Sequence, residues 1–379
     1  MKASIRASVV TLTRVGTALA LLTCAGTPAV QAQSAFWVTS VTAGGSWGTP
    51  SNWQGGTVPS GSGNSAGFVL DFAVGASVTL DGSRTIGTVI SSSANAWSLN
   101  PGTGGTLTVA NFIVTGAPVT ATVPFAGVNL TKDGSGILTL TSPGSTYSGD
   151  INIIAGTLTL VGSANYSTGT NAIHIASGAN LDVTGLTAGF RYGGDPSTRL
   201  AVNNGDTLDG MGTVTGGLKV ASGGTVYPGD DGVGVLTVKG AGDFAALSNW
   251  KVRLSTANVG AVNTSNRIDF NAVLKLQAGM NMPIDGSGLT FAAGQTYDYV
   301  IATIGTSNFE IGTVNFQPTN FNPSSFASPS SFSLITNGPN LVLRFTPVPE
   351  PAFVTAILLA GMAGSGVLRR RLRTQVTPH

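Results

Sequence analysis

The chain has 379 residues and a formal net charge of +2, and only 9% of its residues are charged. Its 53 Gly and its acidic residues, which are Asp except for Glu310 and Glu350, are typical of turns and argue against a mainly helical protein or a standard α/β enzyme. Without its two end segments the chain keeps 11 basic and 15 acidic residues, a net charge of −4, which makes it a poor nucleic-acid binder.

Residues 1–32 have the pattern of a secretory signal peptide, which implies a signal helix and the secretion translocon as a partner. A basic start precedes a short apolar run at residues 15–24, and small residues then lead to Ala32, after which we expect cleavage. The run has about half the length of a spanning helix, and a retained anchor is the alternative. Cys24 is the only cysteine, so the mature chain would contain no thiol or disulfide, unless Cys24 is lipidated.

Residues 33–79 form a Trp-rich opening that predicts N-terminal cap strands. Trp37, Trp47 and Trp53 lie close together in a stretch rich in Gly, Ser and Asn. Large aromatic side chains can cover the first coil of a repeat stack and prevent end-to-end aggregation. The alternative is a sugar platform, because exposed indole rings stack on sugar rings.

Residues 80–245 predict a parallel β-solenoid, also called a β-helix. Short alternating runs of Val, Leu, Ile and Thr are separated by Gly, Ser, Asn and Asp, which is the pattern of strands and turns. Glycines 136, 156 and 178 are separated by 20 and 22 residues, a spacing that fits one coil per repeat with Leu, Ile and Val inward and Thr outward. A β-sandwich is the competing architecture. Four copies of one short motif carry the repeat: Gly105–Val109, Gly136–Leu140, Gly156–Leu160 and Gly234–Val238.

Residues 130–160 contain the most regular copy of this pattern. It runs from Leu130 through Lys132, Gly134 and Gly136 to Leu140, and ends in Gly156-Thr157-Leu158-Thr159-Leu160. This segment resembles the autotransporter-associated β-strand repeat, in which Lys and Gly hold the same positions. The resemblance implies a β-helical unit of a secreted surface protein.

The body offers no convincing catalytic, metal or cofactor site. Asp230 and Asp231 are the best carboxylate pair for glycoside cleavage, but they occupy a turn sequence. Of the two histidines, His174 lies in an alternating strand and is expected to point away from its Ile neighbours. The segment Asp206–Gly210 lacks regular calcium-ligand spacing. We therefore expect no enzyme activity, no metal and no cofactor.

Residues 246–346 change in composition, since Phe and Pro become more frequent. Strand-like runs occur at residues 274–276, 297–301 and 341–345. We expect a small C-terminal β-module that closes the stack.

Residues 347–373 contain three parts in a fixed order. The motif Val348-Pro349-Glu350-Pro351 comes first, then an uncharged apolar stretch of 17 residues, Ala352 to Leu368. This length is at the lower limit for a transmembrane helix. A basic cluster follows and would keep that end in the cytoplasm, with the body outside: Arg369, Arg370, Arg371 and Arg373.

The order of motif, apolar helix and Arg cluster closely resembles the PEP-CTERM sorting signal of Gram-negative bacteria. The resemblance implies an exosortase as partner, transient inner-membrane anchoring, cleavage near Pro349-Glu350-Pro351, and delivery to the cell surface or extracellular matrix. An ordinary tail anchor is the alternative.

Together these patterns predict an all-β, non-catalytic protein of the cell surface or biofilm matrix with a structural or adhesive role. The alternative is an extracellular β-helix protein that binds or cleaves polysaccharide. Exopolysaccharide is the expected partner in both interpretations.

Overall fold

The computed structural model describes residues 34–38, 42–142, 145–162, 172–186, 199–229, 233–305, 308–321 and 332–347. All of them belong to one compact unit, Ala32–His379. The expected signal helix and the expected transmembrane helix lie outside the described residues. Within the described part of the chain, no helix has the length and apolar character needed to cross a bilayer.

The described residues form short strands and two single 3-10 turns, Pro50–Asn52 and Gln54–Gly56. The strands of the first half are, in chain order, β1 (Ala35–Phe36), β2 (Gly44–Ser46), β3 (Gly61–Phe68), β4 (Ser77–Leu80), β5 (Arg84–Ser91), β6 (Trp97–Pro101), β7 (Leu107–Val114), β8 (Val119–Ala121), β9 (Phe125–Gly127), β10 (Leu130–Asp133), β11 (Ile137–Leu140), β12 (Thr146–Tyr147), β13 (Ile151–Ile153), β14 (Thr157–Gly162), β15 (Ala172–Ile175), β16 (Asn180–Leu186) and β17 (Arg199–Val202).

The strands of the second half continue the same series with similar lengths. They are β18 (Thr207–Gly210), β19 (Thr213–Thr215), β20 (Gly217–Val220), β21 (Thr225–Pro228), β22 (Val235–Val238), β23 (Gly242–Phe244), β24 (Asn249–Trp250), β25 (Val252–Arg253), β26 (Val262–Asn263), β27 (Arg267–Phe270), β28 (Leu274–Leu276), β29 (Met280–Asp285), β30 (Tyr297–Ile304), β31 (Phe309–Ile311), β32 (Val314–Thr319), β33 (Phe332–Asn337) and β34 (Asn340–Phe345).

These strands build three stacked sheets, which confirms the all-β parallel solenoid. Sheet 1 has 15 strands in the order β1-β3-β5-β7-β10-β13-β15-β18-β21-β24-β29-β25, with β9, β12 and β32 beside this path. Sheet 2 has 14 strands in the order β2-β4-β6-β8-β11-β14-β16-β19-β22-β27-β30-β34-β33, with β26 beside it. Sheet 3 has five strands, β17-β20-β23-β28-β31. The pairing is parallel, except that β34 is antiparallel to β30 and β33.

Each coil therefore adds strands to sheet 1 and sheet 2, and the coils from β17 onward also add one strand to sheet 3. Hydrogen bonds between consecutive coils join residues 20 to 25 positions apart in much of the stack. Other coils are longer, because equivalent bonds elsewhere join residues 35 apart. The repeat length predicted from the sequence is thus confirmed for the shorter coils only.

The core is a set of apolar columns that run through the stack. In sheet 2 one residue of each strand lies directly over its equivalent in the next coil, and every member of the column is at most 2% exposed. The column consists of Val119, Leu138, Leu158, Leu181, Val214, Val238, Phe270 and Ile304. Outward neighbours such as Thr120, Thr139 and Thr159 form a half-exposed polar column beside it. This alternation buries the aliphatic side chains and keeps Thr at the surface.

Two glycines of the regular repeat are required by close approach of the backbone. Gly134 and Gly156 have φ angles of +78° and +67°. A Cβ on Gly134 would lie 2.4 Å from the carbonyl oxygen of Val114, and one on Gly156 would lie 2.4 Å from the carbonyl oxygens of Gly134 and Gly136. A side chain at either corner would therefore be strained and would separate neighbouring coils.

The stack extends past both ends of the predicted range 80–245. Parallel pairing already joins Ala35 to Ala66 and continues to Asp285 and Thr319, because the same inward and outward alternation continues in these segments. The strands predicted as a separate cap at 33–79 and most of the module predicted at 246–346 are therefore coils of one solenoid. The antiparallel hairpin of β33 and β34 departs from this pattern.

Leu158→Ala and Thr159→Ala form a matched pair that tests the inward columns. Leu158 is fully buried in its column, whereas Thr159 points outward on the same strand. We expect Leu158→Ala to lower the free energy of unfolding by about 2–5 kcal/mol. Thr159→Ala should change it by about 0.5 kcal/mol or less. If urea unfolding shows that both variants lose the same free energy of unfolding, the assignment of the two faces is contradicted.

Candidate functional site: the regular repeat and the polar column of sheet 1

The residues predicted for secretion and sorting lie outside the described residues. They are Ala32, the motif Val348-Pro349-Glu350-Pro351 and the cluster Arg369, Arg370, Arg371 and Arg373. The carboxylate pair Asp230 and Asp231 also lies outside. These assignments remain predictions from the sequence.

The three tryptophans predicted as candidate sugar contacts are buried. Trp37, Trp47 and Trp53 are 3%, 0% and 1% exposed. The ring of Trp53 lies 5.0 Å from that of Trp37 and 5.2 Å from that of Trp47, with interplanar angles of 83° and 59°. The indole nitrogen of Trp53 donates to the Trp47 carbonyl at 2.7 Å. The sugar-platform interpretation is corrected, because buried and mutually inclined rings offer no flat face for a sugar ring.

The tryptophans instead belong to an aromatic cluster in the first coils of the core. Phe68 contacts all three of them, at ring distances of 5.4 to 5.6 Å, and it also packs on Trp97 at 4.7 Å. Such a cluster fills the apolar interior of the first coils of the stack.

Lys132 in the regular repeat points into the core. It takes the place of an apolar residue in the inward column of sheet 1, between Phe112 and Ile153, and it is fully buried. Its Nζ donates hydrogen bonds to the carbonyl oxygens of Asp133 at 2.9 Å, Gly134 at 2.8 Å and Ala155 at 3.1 Å. An ammonium group has three donors, so these contacts satisfy the buried charge and link two consecutive coils. Burial lowers the pKa of Lys132 to about 8, and the charge of Asp133 opposes this shift.

The outer face of sheet 1 carries a continuous series of polar side chains, which we call the polar column. One half-exposed residue of each strand lies beside its equivalent in the next coil. In order along the stack, the polar column consists of Ser65, Thr88, Asn111, Thr131, Asn152, His174, Asp209 and Tyr227. The column presents hydroxyl, amide, imidazole, carboxylate and phenol groups, one in each coil.

A short side-chain contact within the polar column joins His174 to Asp209. His174 Nδ1 lies 2.8 Å from Asp209 Oδ1, and the two side chains are 21% and 28% exposed. Tyr227 follows on the next strand, and the Nζ of Lys251 lies 5.8 Å from the centre of its ring. The partly exposed imidazole, carboxylate, phenol and ammonium groups together can exchange hydrogen bonds with a polar ligand.

The remaining acidic candidate, Asp206, has a local structural role. Its Oδ2 accepts a hydrogen bond from the Asn203 backbone nitrogen at 3.0 Å, which is a turn contact. Asp209, three residues later, belongs to the polar column. Among the described residues, no group of three or more His, Cys, Asp or Glu side chains is arranged to hold a metal ion.

Sequence reasoning correctly placed His174 on the outward face but missed its partner. Asp209 is 35 residues away, and the length of the intervening coil decides which residues meet. The inward direction of Lys132 was also missed, although a signal existed: Lys132 stands two residues after the apolar Leu130, so both side chains lie on the same face of the strand.

The passenger-associated-transport-repeat family matches residues 130–160 of the chain. This match confirms the resemblance of that segment to the autotransporter-associated repeat. The repeat and the stacked sheets indicate a passenger-like β-helix protein that is secreted or exposed at the surface of a Gram-negative bacterium. No curated protein matches the chain.

Lys132→Met tests the buried ammonium group through the pH dependence of stability. The pKa of Lys132 is lowered to about 8 in the folded state from the ordinary value of 10.5. Between these values the unfolded chain binds more protons than the folded chain, so the free energy of unfolding rises with pH. We expect the native chain to gain stability relative to Lys132→Met across this interval. Parallel stability curves of the two chains in denaturant unfolding would contradict this expectation.

Proposed function

We propose that this protein is a non-catalytic structural or adhesive component of the cell surface or biofilm matrix. The observation that carries the proposal is the continuous stack of parallel coils, which runs from Ala35 to Thr319 with polar columns on its outer faces. A stacked repeat offers the same types of hydrogen-bonding group again and again along its length. This arrangement suits an extended, repetitive partner better than a small substrate.

Export and sorting form the second part of the proposal. Residues 1–32 direct the chain to the secretion translocon, and cleavage follows Ala32. The tail then holds the protein briefly in the inner membrane, with Arg369, Arg370, Arg371 and Arg373 on the cytoplasmic side. An exosortase cleaves near Pro349-Glu350-Pro351 and releases the body. The order of motif, apolar stretch and Arg cluster supports this step.

Replacing Pro349, Glu350 and Pro351 together by alanine tests the sorting step. We expect the variant to stay untrimmed in the membrane fraction, because the protease loses the motif that it recognises. Gln375→Ala with Thr377→Ala is the matched control, since both changes lie beyond the Arg cluster. Mass analysis of the mature termini measures the outcome. A variant that is trimmed and released as efficiently as the control would contradict exosortase sorting.

Polysaccharide binding is a second candidate function, and the polar column favours it. Asn152, His174, Asp209 and Tyr227 lie on consecutive strands of sheet 1, with planar polar groups that can pair with sugar hydroxyls. Neighbouring strands are about 4.8 Å apart, so the four side chains span several sugar residues of an extended polymer. Exopolysaccharide is the proposed ligand.

A chain carrying both His174→Ala and Tyr227→Ala tests this second function. We expect weaker retention of this variant on immobilised exopolysaccharide, by roughly tenfold if each lost contact contributes about 0.7 kcal/mol. Thr120→Ala with Thr139→Ala on sheet 2 is the control and should bind like the native chain. Equal retention of all three proteins would exclude the polar column as the binding face. Shortening of the polymer during incubation would show cleavage and contradict the non-catalytic proposal.

A further inference from the structure

The last coils of the stack end in three strands that have a neighbour on one side only among the described residues. β31 ends sheet 3, β32 lies beside β29 in sheet 1, and β33 ends sheet 2. Such edges present backbone N–H and C=O groups to other chains, and natural proteins usually protect them with short strands, charges or proline. The three edges differ in this protection.

β32 carries a proline at its free edge. The backbone nitrogens of Gly279 and Gly286, on the β29 side, donate to the carbonyl oxygens of Thr313 and Thr319. Because residues of a strand alternate between its two sides, the odd-numbered residues of β32 bond to β29 and the even-numbered ones face the free edge. Pro318 is even-numbered and has no N–H, so it removes a donor from that edge.

β31 is protected by its length and by its charge. It has three residues, and its central residue Glu310 forms an ion pair with Lys275 of β28 at 3.3 Å. A short edge strand with a charged side chain is a poor template for further pairing.

β33 has none of these protections. Its six residues, Phe332 to Asn337, include no charged residue and no proline. It joins β34 through the two-residue loop Gly338-Pro339, and Asn337 is paired with Asn340 at the start of the ladder. The closing pair of such a hairpin is hydrogen-bonded, so Asn337 and every second residue before it bond to β34. The N–H and C=O groups of Leu334 and Thr336 lie on the other side of the strand and face the free edge.

We propose that β33 is a self-association strand, which pairs antiparallel with β33 of a second copy of this chain. A two-fold axis at Ile335 places Leu334 opposite Thr336 of the partner subunit. The N–H and C=O groups of these two residues in one copy then form hydrogen bonds with the same groups in the other copy. Leu334 packs on the core and Ile335 is half-buried on the opposite face, so both faces of the joined sheet gain apolar contact. The occupant is a second copy because the edge is complementary to itself.

This interface goes beyond the proposed function and depends on neither sorting nor polysaccharide binding. It predicts a reversible dimer whose sheet 2 continues from one copy into the other. Because β31 and β32 are protected, β33 is the strand at this end of the stack that we expect to pair with another copy.

Thr336→Pro tests the interface with Thr336→Val as the matched control. Proline at position 336 removes an N–H that faces the free edge and leaves the bonds to β34 intact, whereas valine keeps that N–H. Sedimentation velocity of the purified full chain over a range of concentrations measures the outcome. We expect a dimer for the native chain and for Thr336→Val, and at least a tenfold higher dissociation constant for Thr336→Pro. A native chain that stays monomeric, or a Thr336→Pro chain that dimerises as well as the control, would overturn the proposal.

Disulfide trapping keeps the proposal testable if Thr336→Pro fails to fold. In the proposed dimer Ile335 lies opposite Ile335 of the partner subunit, in a non-bonded pair with a Cα separation of about 4.5 Å, which a disulfide can span. We expect Ile335→Cys, in a chain that also carries Cys24→Ser, to form a covalent dimer under mild oxidation. Asn337→Cys, in the same background, has no such opposite partner and should stay monomeric. Equal cross-linking of both variants, or of neither, would refute the assigned register.

Discussion

Register between coils is the constraint on which the whole structure depends. Each strand lies beside its equivalent in the next coil, so a residue such as Leu158 contacts Leu138 on one side and Leu181 on the other. A single coil cannot bury its apolar side chains, and stability arises from the contact between coils. A slip by one residue would turn every inward Leu and Val to the solvent, which fixes the register wherever the columns are apolar.

The same constraint explains the unusual composition. Ionic groups contribute little inside a stack whose contacts are apolar columns and backbone ladders, so the chain needs few of them. Lys132 is the buried ionic group described above, and within the described part of the chain it forms no ion pair in the core. Three backbone carbonyl oxygens at a corner accept hydrogen bonds from its ammonium group instead. Gly134 and Gly156 permit the tight approach of the backbone at the same corners.

The fold could be predicted from the sequence because its signal is periodic, whereas the contacts of the surface could not. Alternation and repeated Gly motifs identified strands, coils and the inward direction of Leu138 and Leu158. The limits of the stack were missed, since the aromatic residues near Trp37 and Phe316 look like parts of separate modules although their strands pair in parallel with neighbouring coils. The pairing of His174 with Asp209 depends on a coil of 35 residues, and no local pattern reports the length of a coil.

The unequal coil lengths have a consequence for how such a protein can change. Since only the ladder positions must match, residues inserted at a corner leave the stacked strands undisturbed, and loop closure makes each doubling of a flexible insertion cost only about 0.6 kcal/mol. New recognition segments can therefore be grafted at the bends while the scaffold beneath them stays the same. Within each coil the corners can vary in length, whereas the stacked strands keep the structure rigid, so an insertion at a corner does not weaken the stack.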